Sequence, residues 1–312
     1  MPSSASDAVL KVSNLHKSFK AKGRTVHAVN NVSFEIRRGE NFGLVGESGS
    51  GKSTVARTVI RLYAPSSGRI EFDGEDVSGR MGKGELALLR TRMQMIFQDP
   101  SSSLNPRRKV GDLVAAGLDI NKRCANAKER SRRVIEMLEQ VGLSAEQSER
   151  YPQQFSGGQK QRIGIARALI MSPSLVIADE PISALDVSIQ AQIVNLMRST
   201  QDRLGTSYLF ISHDLSIVRY ISDRIGVLHE GYLVESGLTS EIFTTPVHPY
   251  TRALLSAIPR PNPLVERHRQ SLAYDPARAG IDYAQGDYHY VSPTHRVLAT
   301  EKELPQWTQK RT

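Results

Sequence analysis

The chain has 312 residues with 39% hydrophobic and 23% charged content, ordinary for a globular protein and enough for one sizeable core with appendages. Its net charge of +9 comes from scattered basic residues, with modest clusters at Arg37–Arg38, Arg107–Lys109 and Arg130–Arg133, so a solvated basic face fits better than a nucleic-acid stripe. One cysteine, Cys124, excludes an internal disulfide framework and a cysteine-ligated metal built by this chain alone, and it fits a reducing cytoplasm.

Met1–Leu10 is small and polar, without the basic start and apolar core of an export signal, so no export is expected. The longest apolar runs, such as Leu175–Ala178, fall far short of the roughly 18 residues of a membrane span. From Val9 to Glu40 the pattern predicts two or three strands, with Val32, Phe34 and Ile36 alternating before an Arg-Arg-Gly turn. Phe42–Val45 reads as a short buried strand. Val55, Ala56, Val59, Ile60 and Leu62 then recur at helical spacing. Another strand, Gly68–Phe72, ends at the turn pair Asp73-Gly74.

Gly111–Leu143 reads as helical, with Val134, Met137, Leu138 and Val141 on one apolar stripe. A helical insertion between strands predicts a lobe of its own. Ser174–Ala178 and Tyr208–Ile211 have the continuous apolar character of central parallel strands, with a helix over Val187–Arg203 between them. Gly226–Glu235 resembles a hairpin turning at His229-Glu230-Gly231. Past Thr239 prolines gather at Pro246, Pro249, Pro259, Pro261 and Pro263, and the final stretch, with its tyrosines and Trp307, reads as an irregular, partly ordered appendage.

Three segments carry chemistry. Gly46-Glu47-Ser48-Gly49-Ser50-Gly51-Lys52-Ser53 completes the phosphate-loop pattern, followed by Thr54 on the helix. Its glycines let backbone N–H groups curl round a phosphate, Lys52 reaches the β and γ oxygens, and Ser53 ligates Mg²⁺. Leu175-Val176-Ile177-Ala178-Asp179-Glu180 is an apolar strand ending in two carboxylates: Asp179 suits Mg²⁺, and Glu180 suits a base for the attacking water. Gln154-Phe155-Ser156-Gly157-Gly158-Gln159 opens a helix with a capping serine, and its hydroxyl and glycine amides form a second anion site.

In that order, these motifs resemble the nucleotide-binding subunit of an ATP-binding cassette (ABC) transporter over roughly Leu10–Gly237. The resemblance implies an α/β phosphate-loop ATPase core (8–238) with an N-terminal antiparallel β subdomain, an inserted helical subdomain at about 100–172, and a C-terminal extension (239–312). It also implies that Ser156, Gly157, Gly158 and Gln159 complete the ATP site of a partner subunit in a head-to-tail dimer. The family's usual leucine is Phe155 here. Gln98, in Met-Ile-Phe-Gln-Asp-Pro, matches the glutamine loop that contacts Mg²⁺ and faces the membrane subunit. His213, in Phe-Ile-Ser-His-Asp, matches the histidine at the γ-phosphate. Ser183-Ala184-Leu185-Asp186 resembles the loop crossing the dimer interface, with Asp186 as its acid, and Phe19 resembles the aromatic that stacks on adenine.

Leu104-Asn105-Pro106-Arg107 and the run Glu241-Ile242-Phe243…Pro246-Val247-His248-Pro249-Tyr250-Thr251-Arg252-Ala253-Leu254-Leu255 are similar to oligopeptide, dipeptide and nickel importers. Many relatives carry tail cysteines for an iron–sulfur cluster. This tail has none, so no cluster is expected. The implied activity is MgATP hydrolysis, with Glu180, His213 and Lys52 as catalytic residues. The implied partners are a second ATPase subunit (similar or identical), two permease subunits and, indirectly, an external solute-binding protein, with the chain at the cytoplasmic face of the inner membrane and no nucleic acid bound. The alternative is a soluble ABC ATPase acting on ribosomes or nucleic acid, although that class usually carries two cassettes in one chain. A DNA-repair cassette needs a long heptad insertion, a regulatory subunit has typically lost Glu180, His213 or the signature, and a small-molecule kinase gives no reason for Ser-Gly-Gly-Gln.

Overall fold

Two long strands, β1 (Ala8–Ala21) and β2 (Arg24–Arg37), open the chain in the computed structural model, which describes residues 7–21, 23–183, 185–258, 274–275 and 280–309. Ala184, Pro259, Pro261 and Pro263 lie outside the described residues. Of the two or three strands expected over Val9–Glu40, there are two, both long and paired antiparallel through several register shifts. Along β2, Val32, Phe34 and Ile36 point inward and their neighbours outward, as strand alternation requires.

After β3 (Asn41–Val45) come α1 (Lys52–Val59), β4 (Ser67–Phe72) and β5 (Glu75–Asp76). The α1 stripe stops earlier than its spacing suggests: Arg61 has φ 65° and Leu62 is 59% exposed, outside the helix. Asp73 and Gly74, both at positive φ, turn β4 into β5. These strands form a four-stranded sheet in the order β2-β1-β4-β5.

Then follow α2 (Lys83–Arg92), β6 (Met93–Ile96) and a helical insertion made of α3 (Pro100–Ser103), α4 (Val110–Ile120), α5 (Ala127–Gln140), two short 3₁₀ turns and α6 (Gly157–Leu169). The helical stretch expected over Gly111–Leu143 is broken between α4 and α5, where Asn126 caps the second helix by accepting from Glu129 N–H at 2.9 Å. The insertion ends at β7 (Leu175–Asp179), which pairs parallel to β6. The chain continues through α7 (Val187–Leu204), β8 (Ser207–Ile211), α8 (Leu215–Ile221) and the hairpin of β9 (Arg224–His229) and β10 (Tyr232–Leu238).

The tail departs from its irregular reading. It forms α9 (Thr239–Thr244), α10 (Pro249–Ser256), β11 (Asp287–Tyr290), β12 (Arg296–Ala299) and α11 (Glu303–Gln309). Its two strands join the main sheet, whose order is β11-β12-β10-β9-β3-β8-β7-β6. Trp307 is buried on α11 against His248, ring centroids 4.9 Å apart.

Strands β6, β7, β8, β3 and β9 run parallel and adjacent. Their side chains sort by parity: Leu175, Ile177, Leu209 and Ile211 pack with the antiparallel sheet and α1, whereas Val176, Ala178, Tyr208 and Phe210 pack with the helical insertion. Both faces are therefore covered, which explains why these strands read as unbroken apolar runs.

Candidate functional site

Because five neighbouring strands point the same way, whatever follows them gathers along one sheet edge. Gln98 lies just past β6, Asp179 and Glu180 end β7, His213 follows β8, and the glycine loop follows β3. The sequence-predicted residues of one half of the site are thus brought together by topology alone.

The loop turns on glycines with no room for a side chain. Gly46 has φ 152° and a Cβ there would lie 2.1 Å from the Leu228 carbonyl oxygen; Gly51 has φ 105° and would meet the Ala28 carbonyl oxygen at 2.4 Å. Glu47, Ser48 and Gly49 stay exposed, and Ser50 and Lys52 are buried. The Lys52 ammonium donates to the carbonyls of Gly46 and Glu47, each at 2.7 Å, and approaches Ser50 Oγ at 3.4 Å. Burial lowers its pKa, and the Glu180, Asp179 and Glu47 carboxylates partly restore it.

Ser53 Oγ donates to Asp179 Oδ1 at 2.8 Å. Asp179 is buried, which raises its pKa from the ordinary aspartate value against the lowering pull of Ser53 and the Arg57 guanidinium 4.0 Å away. A serine hydroxyl beside a buried carboxylate is the all-oxygen donor set that a hard divalent cation such as Mg²⁺ takes.

Glu180 is held from several sides. Its backbone sits at φ 48°, uncommon for a non-glycine residue, and its N–H donates to Ile211 O at 3.0 Å. Gln98 Nε2 donates to Glu180 Oε2 at 2.9 Å, and His213 Nδ1 lies 3.3 Å from Oε1. Ser183 Oγ donates to the Glu180 carbonyl at 3.2 Å. Such backbone strain costs about 1–3 kcal/mol and persists where surrounding contacts fix it, commonly at reacting groups.

The helix start at Ser156 is different. Ser156 and Gln159 bond each other reciprocally, Ser156 N–H to Gln159 Oε1 at 3.0 Å and Gln159 N–H to Ser156 Oγ at 3.4 Å. Ser156 and Gly157 are exposed, and among the described residues no hydrogen bond joins this segment to the glycine loop. Phe155 is buried in the insertion's core. A Cβ at Gly158 would lie 2.6 Å from Ile189 Cγ2, so α6 rests closely on the start of α7. There Asp186 and Val187 face outward, Val187 at 82% exposure.

Phe19 is half-buried, edge-on to Tyr63 at 5.3 Å, with the Lys17 ammonium 4.8 Å from its ring centre. One contact lay beyond sequence reasoning. The Glu47 N–H donates to the hydroxyl of Tyr250 in α10 at 3.0 Å. A bond to a backbone N–H leaves no trace in residue type; only the position of Tyr250 in the tail motif singled it out.

Comparison with known proteins matches residues 29–183 to the ABC transporter family and residues 234–280 to the oligopeptide/dipeptide transporter C-terminal region. The chain is 53% identical over 299 residues to the oligopeptide transport ATP-binding protein OppF of Bacillus subtilis strain 168, covering 96% of this chain and 98% of that one. It is 52% identical over 298 residues to the dipeptide transport ATP-binding protein DppF of Lactococcus lactis subsp. cremoris, covering 95% of each. Among solved structures, a dimeric ATP-binding cassette in a post-hydrolysis state with ADP and Pi superposes with a TM-score of 0.68 at 30% identity, covering 74% of this chain and 98% of that one.

Proposed function

The chain belongs to the ABC transporter family as an ATP-hydrolysing subunit, and from that premise we propose that it powers import of peptides through permeases it does not encode. The observation that carries the reading is the sheet edge on which the glycine loop, the Ser53–Asp179 pair and the Gln98–Glu180–His213 cluster converge. The names and near full-length coverage of the relatives support the peptide cargo.

In this reading the amides of Ser48 to Thr54 and the Lys52 ammonium hold the β- and γ-phosphates, and Phe19 offers its ring to adenine. Ser53, Asp179 and Gln98 would hold Mg²⁺, which neutralises developing phosphate charge when bound. Glu180 accepts a proton from the attacking water at the oxygen that faces His213. Gln98 and His213 fix the carboxylate's direction, so its orientation is set before the water arrives. Ser156 Oγ–H and the amides of Gly157 and Gly158, with Gln159 holding the cap and Asp186 beside the seam, act on a nucleotide carried by the partner subunit.

That partner is a second cassette subunit, similar rather than identical, joined head to tail. Of two permease subunits, one docks on this chain, at a cleft of about 650 Å³ between the turn after α1, α2, β6 and the helical insertion, rimmed by the exposed Leu62 and Phe97. Phe97 adjoins Gln98, so a permease segment in this cleft would press directly on the residue that orients Glu180. Among the described residues no helix is long and apolar enough to cross a membrane, so attachment at the cytoplasmic face runs through the permeases. A solute-binding protein acts outside.

The test is the company the chain keeps. Membranes solubilised with MgATP, with the Glu180→Gln protein as bait, should yield two permeases and a second cassette protein by mass spectrometry. Ribosomal proteins without any membrane protein would overturn the transport reading.

A further inference from the structure

We infer that Tyr250 of the C-terminal extension is a positioning residue for nucleotide binding, acting through the Gly46–Glu47 peptide group on Lys52. The inference rests on the reading of Gly46–Ser53 as the nucleotide loop.

The carbonyl of Gly46 and the N–H of Glu47 are opposite ends of one planar peptide group. Lys52 Nζ donates to that carbonyl at 2.7 Å. The N–H donates to Tyr250 Oη at 3.0 Å. Tyrosine and lysine therefore hold the same rigid plate from its two edges, and the tilt of the plate sets where the lysine finds its acceptor. The Glu47 side chain and the loop's phosphate-facing amides take no part in this bond.

Tyr250 can fix the plate because it is itself fixed. It is 1% exposed, and its ring lies 4.0 Å from that of His229, on the strand whose Leu228 carbonyl crowds Gly46. Its N–H donates to His248 Nδ1 at 3.1 Å, which caps α10. The His248 N–H donates in turn to Glu235 Oε2 at 3.1 Å, and Glu235 Oε1 takes Val247 N–H at 2.7 Å and lies 2.7 Å from His295 Nε2. A buried carboxylate on β10 thus organises the extension so that one hydroxyl arrives behind the loop. A tyrosine needed only for packing would require no such aim.

The experiment uses the full-length chain and a fluorescent ATP with Mg²⁺. Tyr250→Phe keeps the ring and removes the acceptor; the dissociation constant should rise about three- to tenfold, the usual share of one neutral hydrogen bond. A purely structural tyrosine would lower the unfolding temperature or folded fraction while folded molecules kept wild-type affinity, and that result overturns the inference. A second measurement needs no variant: without nucleotide, the Glu47 amide should exchange its hydrogen more slowly than an unstructured amide, and unprotected exchange also overturns it. Failure of the unaltered chain to bind MgATP would overturn both this inference and the nucleotide-loop reading, whereas normal binding with an unaffected Tyr250→Phe removes the inference alone.

Discussion

Gly46–Thr54 and Ser156–Gln159 both open helices with glycine, and both offer amides to an anion, yet their surroundings differ. The first is tied into its own chain: Lys52 to loop carbonyls, Ser53 to Asp179, Glu47 to Tyr250, with Glu180 held nearby by Gln98 and His213. The second is bonded chiefly to itself, exposed at its tip, and packed from behind on α7. Under the proposed function, one is a site that lacks a cover, and the other is a cover that lacks a site. The contrast suits the head-to-tail pair of subunits proposed above, in which each chain keeps its own loop rigid while presenting its cap outward.

The comparison can be broken at either end. The largest effect is expected from Glu180→Gln in the assembled transporter, where loss of the base should cut steady-state turnover about 10²–10⁴-fold while MgATP binding persists. Turnover near wild type would remove Glu180 from that role. Next, Ser156→Arg should lower turnover of the assembly by about 10²-fold, as when one charge-stabilising donor is lost. In the isolated chain it should leave nucleotide affinity unchanged, whereas Lys52→Ala should weaken it. Equal losses of affinity in the two isolated variants would erase the distinction between site and cover.

Smaller effects sharpen the account of what braces each half. His248 is buried beside His229 and Arg252, and burial first, then those charges, depress its pKa to about 3. The unfolded chain, with an imidazole pKa of about 6.5, binds the proton that the folded chain refuses, so stability falls as pH drops below that value. Between pH 7 and pH 5 this group alone removes about 2 kcal/mol. His248→Asn keeps a capping acceptor without the titration, and urea unfolding at both pH values should show a loss smaller by that amount. Identical pH slopes would mean that His248 is not kept neutral. Last, Gly158→Ala should cost about 1 kcal/mol in the same assay, overpacking against Ile189 outweighing the gain in helix propensity. No loss would show that α6 and α7 separate easily.

Much of the glycine-loop half of the candidate site was legible because a loop that wraps an anion restricts residue types: only glycine fits where Gly46 and Gly51 meet backbone carbonyls, and the fully buried runs Leu44–Val45, Leu175–Ala178 and Leu209–Ile211 take apolar residues. Other features were not. The left-handed backbone at Glu180 follows from the bonds around it, not from glutamate. The break between α4 and α5 interrupts an apolar stripe that continues beyond it. Strands β11 and β12 are four residues each, and Asp287-Tyr288-His289-Tyr290 is too short and polar to show a period of two. Strand β11 pairs only with its neighbour β12, and β12 finds its other partner far back in the chain, at β10, where no local pattern announces it.

That late pairing has a consequence for how the protein is made. Strand β10 leaves synthesis with an open edge and a buried-to-be carboxylate, Glu235, and its neighbour β12 emerges only after α9 and α10 have been made. Until then the growing sheet offers a bare row of N–H and C=O groups, a template for pairing with another copy. Long-range pairing of this kind is also slow. The nascent chain therefore passes through an interval in which its nucleotide loop already exists and its sheet is still adhesive, so chaperone demand and inclusion-body formation should rise sharply for any form stopped short of β12.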